Sequence, residues 1–303
     1  MLPNMKDAVP VALMGCLFVV VHGLALLIVA PFEAAGLFVF ENPDDPFNVV
    51  YFFLTLIVVT AVMLVVARFW KKRVVQIIML GSIGYVVFFL FFPLLAFVVP
   101  ELFALVFSIG ATAALIVLLV KYPEWYVIDV CGVLLGVGSI AMLGISLSVF
   151  LVIILLAGLA VYDAISVFGT KHMIDLADVV FFDLKLPVML VVPKKLGFSF
   201  IRETKSLKEK LQSGEEREAF FMGLGDVVMP GMLVTSAFYN IASGGLIVAL
   251  SVMLGTLVGF GVLVVFLVRG KPQPGLPFLC SGAILGYLVS SYLLFGQLVG
   301  LSF

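Results

Sequence analysis

Residues 219–240 read AFFMGLGDVVMPGMLVTSAFYN, an apolar run of 22 residues that carries a single acid, Asp226. About 20 mostly apolar residues are what a helix needs to cross a hydrocarbon core. An ionised carboxylate inside such a span is costly unless it is paired or hydrated, so an acid kept there points to function.

Outward from this run, eight more of the same kind predict spans over residues 9–29, 49–67, 74–99, 102–120, 126–143, 145–168, 244–268 and 278–299. The fifth and sixth are separated only by Gly144 and its neighbours. The expectation is an all-α, polytopic membrane protein of about nine transmembrane helices. Composition agrees: 64% hydrophobic residues, 12% charged residues and a mean hydropathy of +1.30 exclude a soluble globular domain, which runs nearer half apolar and a quarter charged. The first run has only Lys6 beside Asp7 as a charged flank and is longer than a secretory signal core, so it reads as an uncleaved span. Cys16, Cys131 and Cys280 are far apart, each within an apolar run, and suggest small packing residues rather than disulfides or a metal site.

Charge supplies the topology. With the N-terminus inside, all 17 Lys and Arg residues fall on one side: Lys6, the cluster from Arg68 to Arg73, Lys121, nine between Lys171 and Arg217, and Arg269 with Lys271. The opposite loops hold only acids, Glu33, Glu41, Asp44, Asp45 and Glu101. Positive residues stay cytoplasmic, so the N-terminus is expected inside and the C-terminus outside. The chain then divides into an N-terminal six-helix portion (1–168), a cytoplasmic loop (169–217) and a C-terminal three-helix portion (218–303) within one membrane domain. The loop carries seven acidic and nine basic residues, including the KSLKEKLQSGEER run, and reads as solvated with a short helix. Its apolar stretch 186–192 (LPVMLVV) is expected to rest on the membrane or the bundle. Nothing suits nucleic acid; the lipid bilayer is the expected surrounding.

A second acid lies within a span. Asp163 falls about six residues before the cytoplasmic end of the sixth run and Asp226 about eight after the start of the seventh, so each is roughly 10 Å below the cytoplasmic surface at a helical rise of 1.5 Å. Consecutive spans are antiparallel and usually neighbours, which lets the two acids face each other at one depth. Two such carboxyls share a proton, one serving as base toward water and the other as acid toward a peptide carbonyl, with no metal and no cofactor. The alternative is that each Asp caps a helix or makes a polar contact. Asp129, near the start of the fifth span, is expected to be solvated at the interface.

Three local sequences qualify the pair. Gly223-Leu224-Gly225-Asp226, followed by Pro230, weakens the helix and lets another backbone come close, although small residues also serve ordinary packing between membrane helices. Lys271-Pro272-Gln273-Pro274-Gly275-Leu276-Pro277 forbids a regular helix; it is either a turn into the last span or an extended segment able to pair with a substrate strand. Tyr162, beside Asp163, is either a hydrogen-bond donor into the site or an anchoring aromatic. His22 has no metal partner in reach of its span and reads as polar packing.

Together these segments resemble the presenilin and signal peptide peptidase family of GxGD aspartyl proteases. Tyr162-Asp163 resembles the YD motif, Gly223-Leu224-Gly225-Asp226 the GxGD motif and Pro274-Gly275-Leu276 the PAL motif. The context looks closer to signal peptide peptidase, with Val167-Phe168-Gly169-Thr170 after the YD, Val227 to Gly231 after the GxGD, and Gln273 before the proline segment. The match covers roughly the C-terminal half, and Gly275 stands where the family usually has Ala. The resemblance implies hydrolysis of membrane-spanning helices, with Asp163 and Asp226 catalytic and Tyr162, Gly223, Leu224, Gly225, Pro274, Gly275 and Leu276 contacting substrate. Charge sorting gives the presenilin orientation, which implies single-span substrates whose N-terminus is outside. The lack of a large N-terminal or loop domain suggests a compact microbial or archaeal homologue, compatible with a homo-oligomer and with partner subunits. A proton-coupled transporter or ion channel would also keep buried acids, and a prepilin-type peptidase is a nearer rival; neither accounts for the YD and proline segments.

Overall fold

The computed structural model describes residues 5–69, 72–169, 187–194, 197–199, 218–267 and 273–301. The elements run α1 (Met5–Leu27), α2 (Val29–Ala34), α3 (Phe47–Phe69), α4 (Lys72–Ala96), α5 (Glu101–Lys121), α6 (Trp125–Ile145) and α7 (Val149–Gly169), then β1 (Met189–Pro193) and β2 (Ala219–Gly223), then α8 (Leu224–Asn240), α9 (Gly245–Leu267) and α10 (Leu276–Phe295). Nine long helices thus stand among the described residues, as the apolar runs predict. Seven are long and apolar enough to cross a membrane: α1, α4, α5, α6, α7, α9 and α10. The KSLKEKLQSGEER run, His172, Thr170, Lys271 and Pro272 lie outside the described residues.

Two boundaries differ from expectation. The seventh run does not begin as helix. Residues Ala219–Gly223 form β2, paired antiparallel with β1 in the register Met189↔Gly223, Val191↔Phe221 and Pro193↔Ala219, and α8 starts only at Leu224. A short apolar stretch does not by itself distinguish strand from helix, and here a partner strand within the loop decides. The apolar stretch of the loop accordingly rests on the bundle: Leu190, Val191 and Val192 of β1 are buried.

The second difference concerns the break between the fifth and sixth spans, which falls at Ser146–Ser148 rather than at Gly144. Ser148 N–H donates to the Pro43 carbonyl (3.0 Å), and the Leu147 carbonyl accepts from Ser236 Oγ (2.8 Å) and Asn240 Nδ2 (3.2 Å). Side chains of α8 thereby satisfy a buried turn that water does not reach. Gly144 is helical, and α8 leaves no room for a side chain beside it: a Cβ there would lie 2.6 Å from Thr235 Cβ.

The last three helices form the tightest part of the molecule. α9 carries Gly255 and Gly259, α10 carries Gly282 and Gly286, and each pair has the four-residue spacing that puts both glycines on one face. A Cβ on any of the four would collide with backbone of the opposite helix. Such small-residue seams let membrane helices gain van der Waals contact where lipid offers no hydrophobic drive to associate. α8 is the hub, in contact with α1, α6, α7, α9 and α10. Its buried residues Val227, Met232, Leu233, Val234 and Ala237 link the two main hydrophobic clusters. α3, α4 and α5 lie to the side, with long rows of exposed apolar residues such as Leu54, Ile57, Phe103 and Phe107, the pattern of lipid-facing helices.

Candidate active site

The site forms where α7, α8 and the segment entering α10 converge. Asp163 is buried on α7, about six residues before that helix ends. Its Oδ2 accepts a hydrogen bond from the backbone N–H of Leu276 (3.1 Å), and the Gly275 N–H lies near the same carboxyl. Asp226 lies in the first turn of α8 and is half-buried. Its carboxyl rests on Gly275: the place a Cβ of Gly275 would take is 2.9 Å from Oδ2 and 3.0 Å from Oδ1. Both carboxyls therefore meet the same dipeptide, Gly275-Leu276, and are close enough for their charges to interact.

Asp226 sits earlier in its helix than hydropathy implies, because the five residues before Leu224 are strand. The helix start is held from the sheet. Leu224 N–H, one of the donors that a helix start leaves without an intrahelical partner, donates to the Val188 carbonyl (2.9 Å). Within the GLGD sequence the two glycines differ. A Cβ on Gly223 would meet Asp226 Oδ2 at 3.3 Å, whereas Gly225 is exposed with open space over it. Gly225 is thus the position where a second backbone has room to approach, and Gly223 is the one that packs against the acid.

Pro230 lies inside α8, where its missing N–H leaves the Asp226 carbonyl without the usual helical donor. The next carbonyl, that of Val227, accepts a hydrogen bond from His22 Nε2 of α1 (2.9 Å). His22 is fully buried against Gly231, where a Cβ would come 2.9 Å from its ring. The polar packing expected for this histidine is therefore a contact to the helix that carries Asp226. Gln273 and Pro274 precede α10 without regular structure and Pro274 is buried, so the described part of the proline segment is non-helical. Tyr162 is 43% exposed, on a face of α7 other than that of Asp163.

Two more residues bear on the site, and one of them departs from the sequence reading. Cys280, one turn into α10, is buried and close enough to both carboxyls to feel their charge; its sequence context shows only an apolar run. Asp129 is not solvated. It is 8% exposed, and its Oδ1 accepts from the Val191 N–H of β1 (2.7 Å). Position along a span was a poor guide because the hairpin covers that end of α6. Among the described residues no group of His, Cys, Asp or Glu could hold a metal ion.

A family model described as signal-peptide peptidase, presenilin aspartyl protease matches residues 15–296. A solved structure described as a presenilin family intramembrane aspartate protease in space group C222 is 33% identical, with a TM-score of 0.72 over 94% of this chain and 99% of its own. A second, so described in space group P2, is 32% identical, with a TM-score of 0.70 over 97% and 99% of the two chains. No curated protein matches the chain. The match extends across all the long helices rather than the C-terminal half alone, and it favours the protease reading over a transporter, a channel or a prepilin-type peptidase. The chain belongs to the signal-peptide peptidase and presenilin family of aspartyl proteases and is a multi-pass intramembrane aspartic endopeptidase.

Proposed function

We propose that Asp163 and Asp226 are the catalytic pair and that Gly275-Leu276 is the floor on which they work. The observation that carries this reading is the meeting of both carboxyls on that dipeptide, Asp163 through the Leu276 N–H and Asp226 through contact with Gly275. Two close carboxyls share one proton. The ionised member takes a proton from water as the oxygen attacks the scissile carbonyl; the protonated member donates to the carbonyl oxygen and, on collapse, a proton passes to the leaving amine.

A peptide bond inside a transmembrane helix is shielded by its own turn, so the substrate must be unwound locally before attack. Gly225 leaves space for an extended backbone beside Asp226, and Gly223, Leu224, Pro274, Gly275 and Leu276 border the same place. Tyr162 is the weakest member of this set, given its exposure. The substrates are single-span proteins or peptides with the N-terminus outside, because the charge sorting puts the protein's own N-terminus and its 169–217 loop in the cytoplasm and its C-terminus outside. The division into portions 1–168, 169–217 and 218–303 follows the same logic, the loop joining two catalytic helices that sit side by side. The two-carboxyl chemistry itself uses no metal or cofactor, and it is compatible with a homo-oligomer.

The test is cleavage of a single-span peptide by purified protein, with products read by mass spectrometry. Asp163→Ala and Asp226→Ala each abolish detectable cleavage, a missing acid or base costing about a hundredfold to ten-thousandfold. Retained cleavage in either variant refutes the pair. Cysteine labelling from outside, at a residue introduced after Phe295, tests the orientation, and labelling only from the cytoplasm reverses it.

A further inference from the structure

We infer that Asp129 is a positioning residue for proteolysis, acting through the β-hairpin on the start of the helix that carries Asp226. The inference rests on the reading of Asp226 as catalytic.

The hairpin register fixes which way each strand donor points. Leu224 N–H donates to Val188 O and Lys194 N–H to Glu218 O, so residues 188 and 194 are in hydrogen-bonded pairs. Such pairs alternate along an antiparallel ladder. Val191, opposite Phe221, is in a non-bonded pair and its N–H points away from β2. A buried strand N–H left without an acceptor is costly, and Pro193 removes another donor from the same edge. Asp129 accepts the Val191 N–H at 2.7 Å. The outward Val191 N–H of β1 is thus held by one side chain of α6.

The same face of α6 receives the catalytic helix. Asp129, Gly132 and Gly136 follow one another at helical spacing. A Cβ on Gly132 would lie 3.0 Å from Leu190 of β1 and 3.9 Å from Leu224, and one on Gly136 would lie 3.5 Å from Leu224 and 3.8 Å from Val228. The surface that holds β1 by a hydrogen bond therefore holds the first turns of α8 by packing, and Val188 O ties the two together through Leu224 N–H. Loss of the Asp129 bond frees the strand that fixes where α8 begins, two residues before Asp226. Misplacement on the order of 1 Å of a reacting group costs up to about a hundredfold in rate.

Asp129→Ala removes the acceptor; Asp129→Asn keeps an oxygen at the same place and removes the charge. The experiment measures kcat and KM for a single-span peptide on monodisperse protein, with amide hydrogen exchange at Val191 and Leu224. Asp129→Ala lowers kcat roughly tenfold to a hundredfold with KM within about twofold and speeds exchange at both amides, while Asp129→Asn stays within about threefold of the parent. A parental kcat in Asp129→Ala, or equal damage in Asp129→Asn, overturns the inference. A residue needed only for folding would lower the yield of folded protein and leave the kcat of the folded fraction unchanged. Val191→Pro deletes the donor on a strand edge where the ladder does not use it, and a parental kcat there overturns the inference even if Asp129→Ala does not fold. Failure of the catalytic reading itself is distinct, since it is read from cleavage surviving in Asp226→Ala.

Discussion

α9 with α10, and α4 with α5, are two antiparallel helix pairs of similar length and apolar content, yet they are built by opposite means. The first pair is joined through Gly255, Gly259, Gly282 and Gly286, with backbone against backbone. The second relies on side chains; Gly81 and Gly110 have nothing within 4 Å of where a Cβ would stand, although Gly84 is covered by Ile116. In a membrane the apolar content of a helix says that it inserts, and the small residues say what it must hold still. The pair that is locked bears the segment on which both acids rest. The looser pair presents apolar side chains outward.

The contrast breaks most sharply at the seam. Gly259→Leu drives a side chain into the backbone at Phe278 and should cost folded protein outright, on the order of 4 kcal/mol or more, whereas Gly110→Leu should unfold in detergent at the parental temperature. Equal losses at both positions would remove the distinction. His22→Ala comes next, leaving a cavity beside Gly231 and the Val227 carbonyl without its donor. Thermal unfolding should show a loss of roughly 2–4 kcal/mol, together with a lower kcat because α8 is the helix disturbed.

Gly275→Ala sharpens the comparison at the site itself. Its Cβ would stand 2.9–3.0 Å from the Asp226 carboxyl, and since that carboxyl is the free end of a side chain it can turn aside. The expected result is parental thermal stability with kcat lower by about three- to tenfold; an unchanged kcat would mean that the resting contact is irrelevant to turnover. The smallest effect is expected on the loose pair, where Gly81→Ala or Gly110→Ala should stabilise by about 0.5–1 kcal/mol through helix propensity alone. A loss of stability at either would show a neighbour packed there after all.

The spans were legible because about 20 apolar residues in series have few alternatives, and the neighbouring position of Asp163 and Asp226 followed from consecutive antiparallel helices. The strand at Ala219–Gly223 was not legible. AFFMG satisfies helix and strand equally, and its pairing partner, Met189–Pro193, lies within the 169–217 loop. Gly144 and its neighbours are all that interrupts the apolar run there, whereas the role of Gly144 in admitting Thr235 depends on a residue more than eighty positions further on. Asp129 was misjudged for the same reason, since nothing in its own run announces that β1 will cover it. His22 could be recognised as buried but its partner, the main-chain carbonyl of Val227 next to the one that Pro230 leaves without a donor, is not written in any side chain.

The β1–β2 ladder pairs a strand of the 169–217 loop with the strand that leads into α8. Lys194 bonds to Glu218 and Val188 to Leu224 on either side of the intervening residues, so a nick anywhere between residues 199 and 218 would cut the polypeptide without parting the pieces. The enzyme is in effect already a two-part assembly, and fragments ending and beginning within that interval should find each other when produced from separate messages.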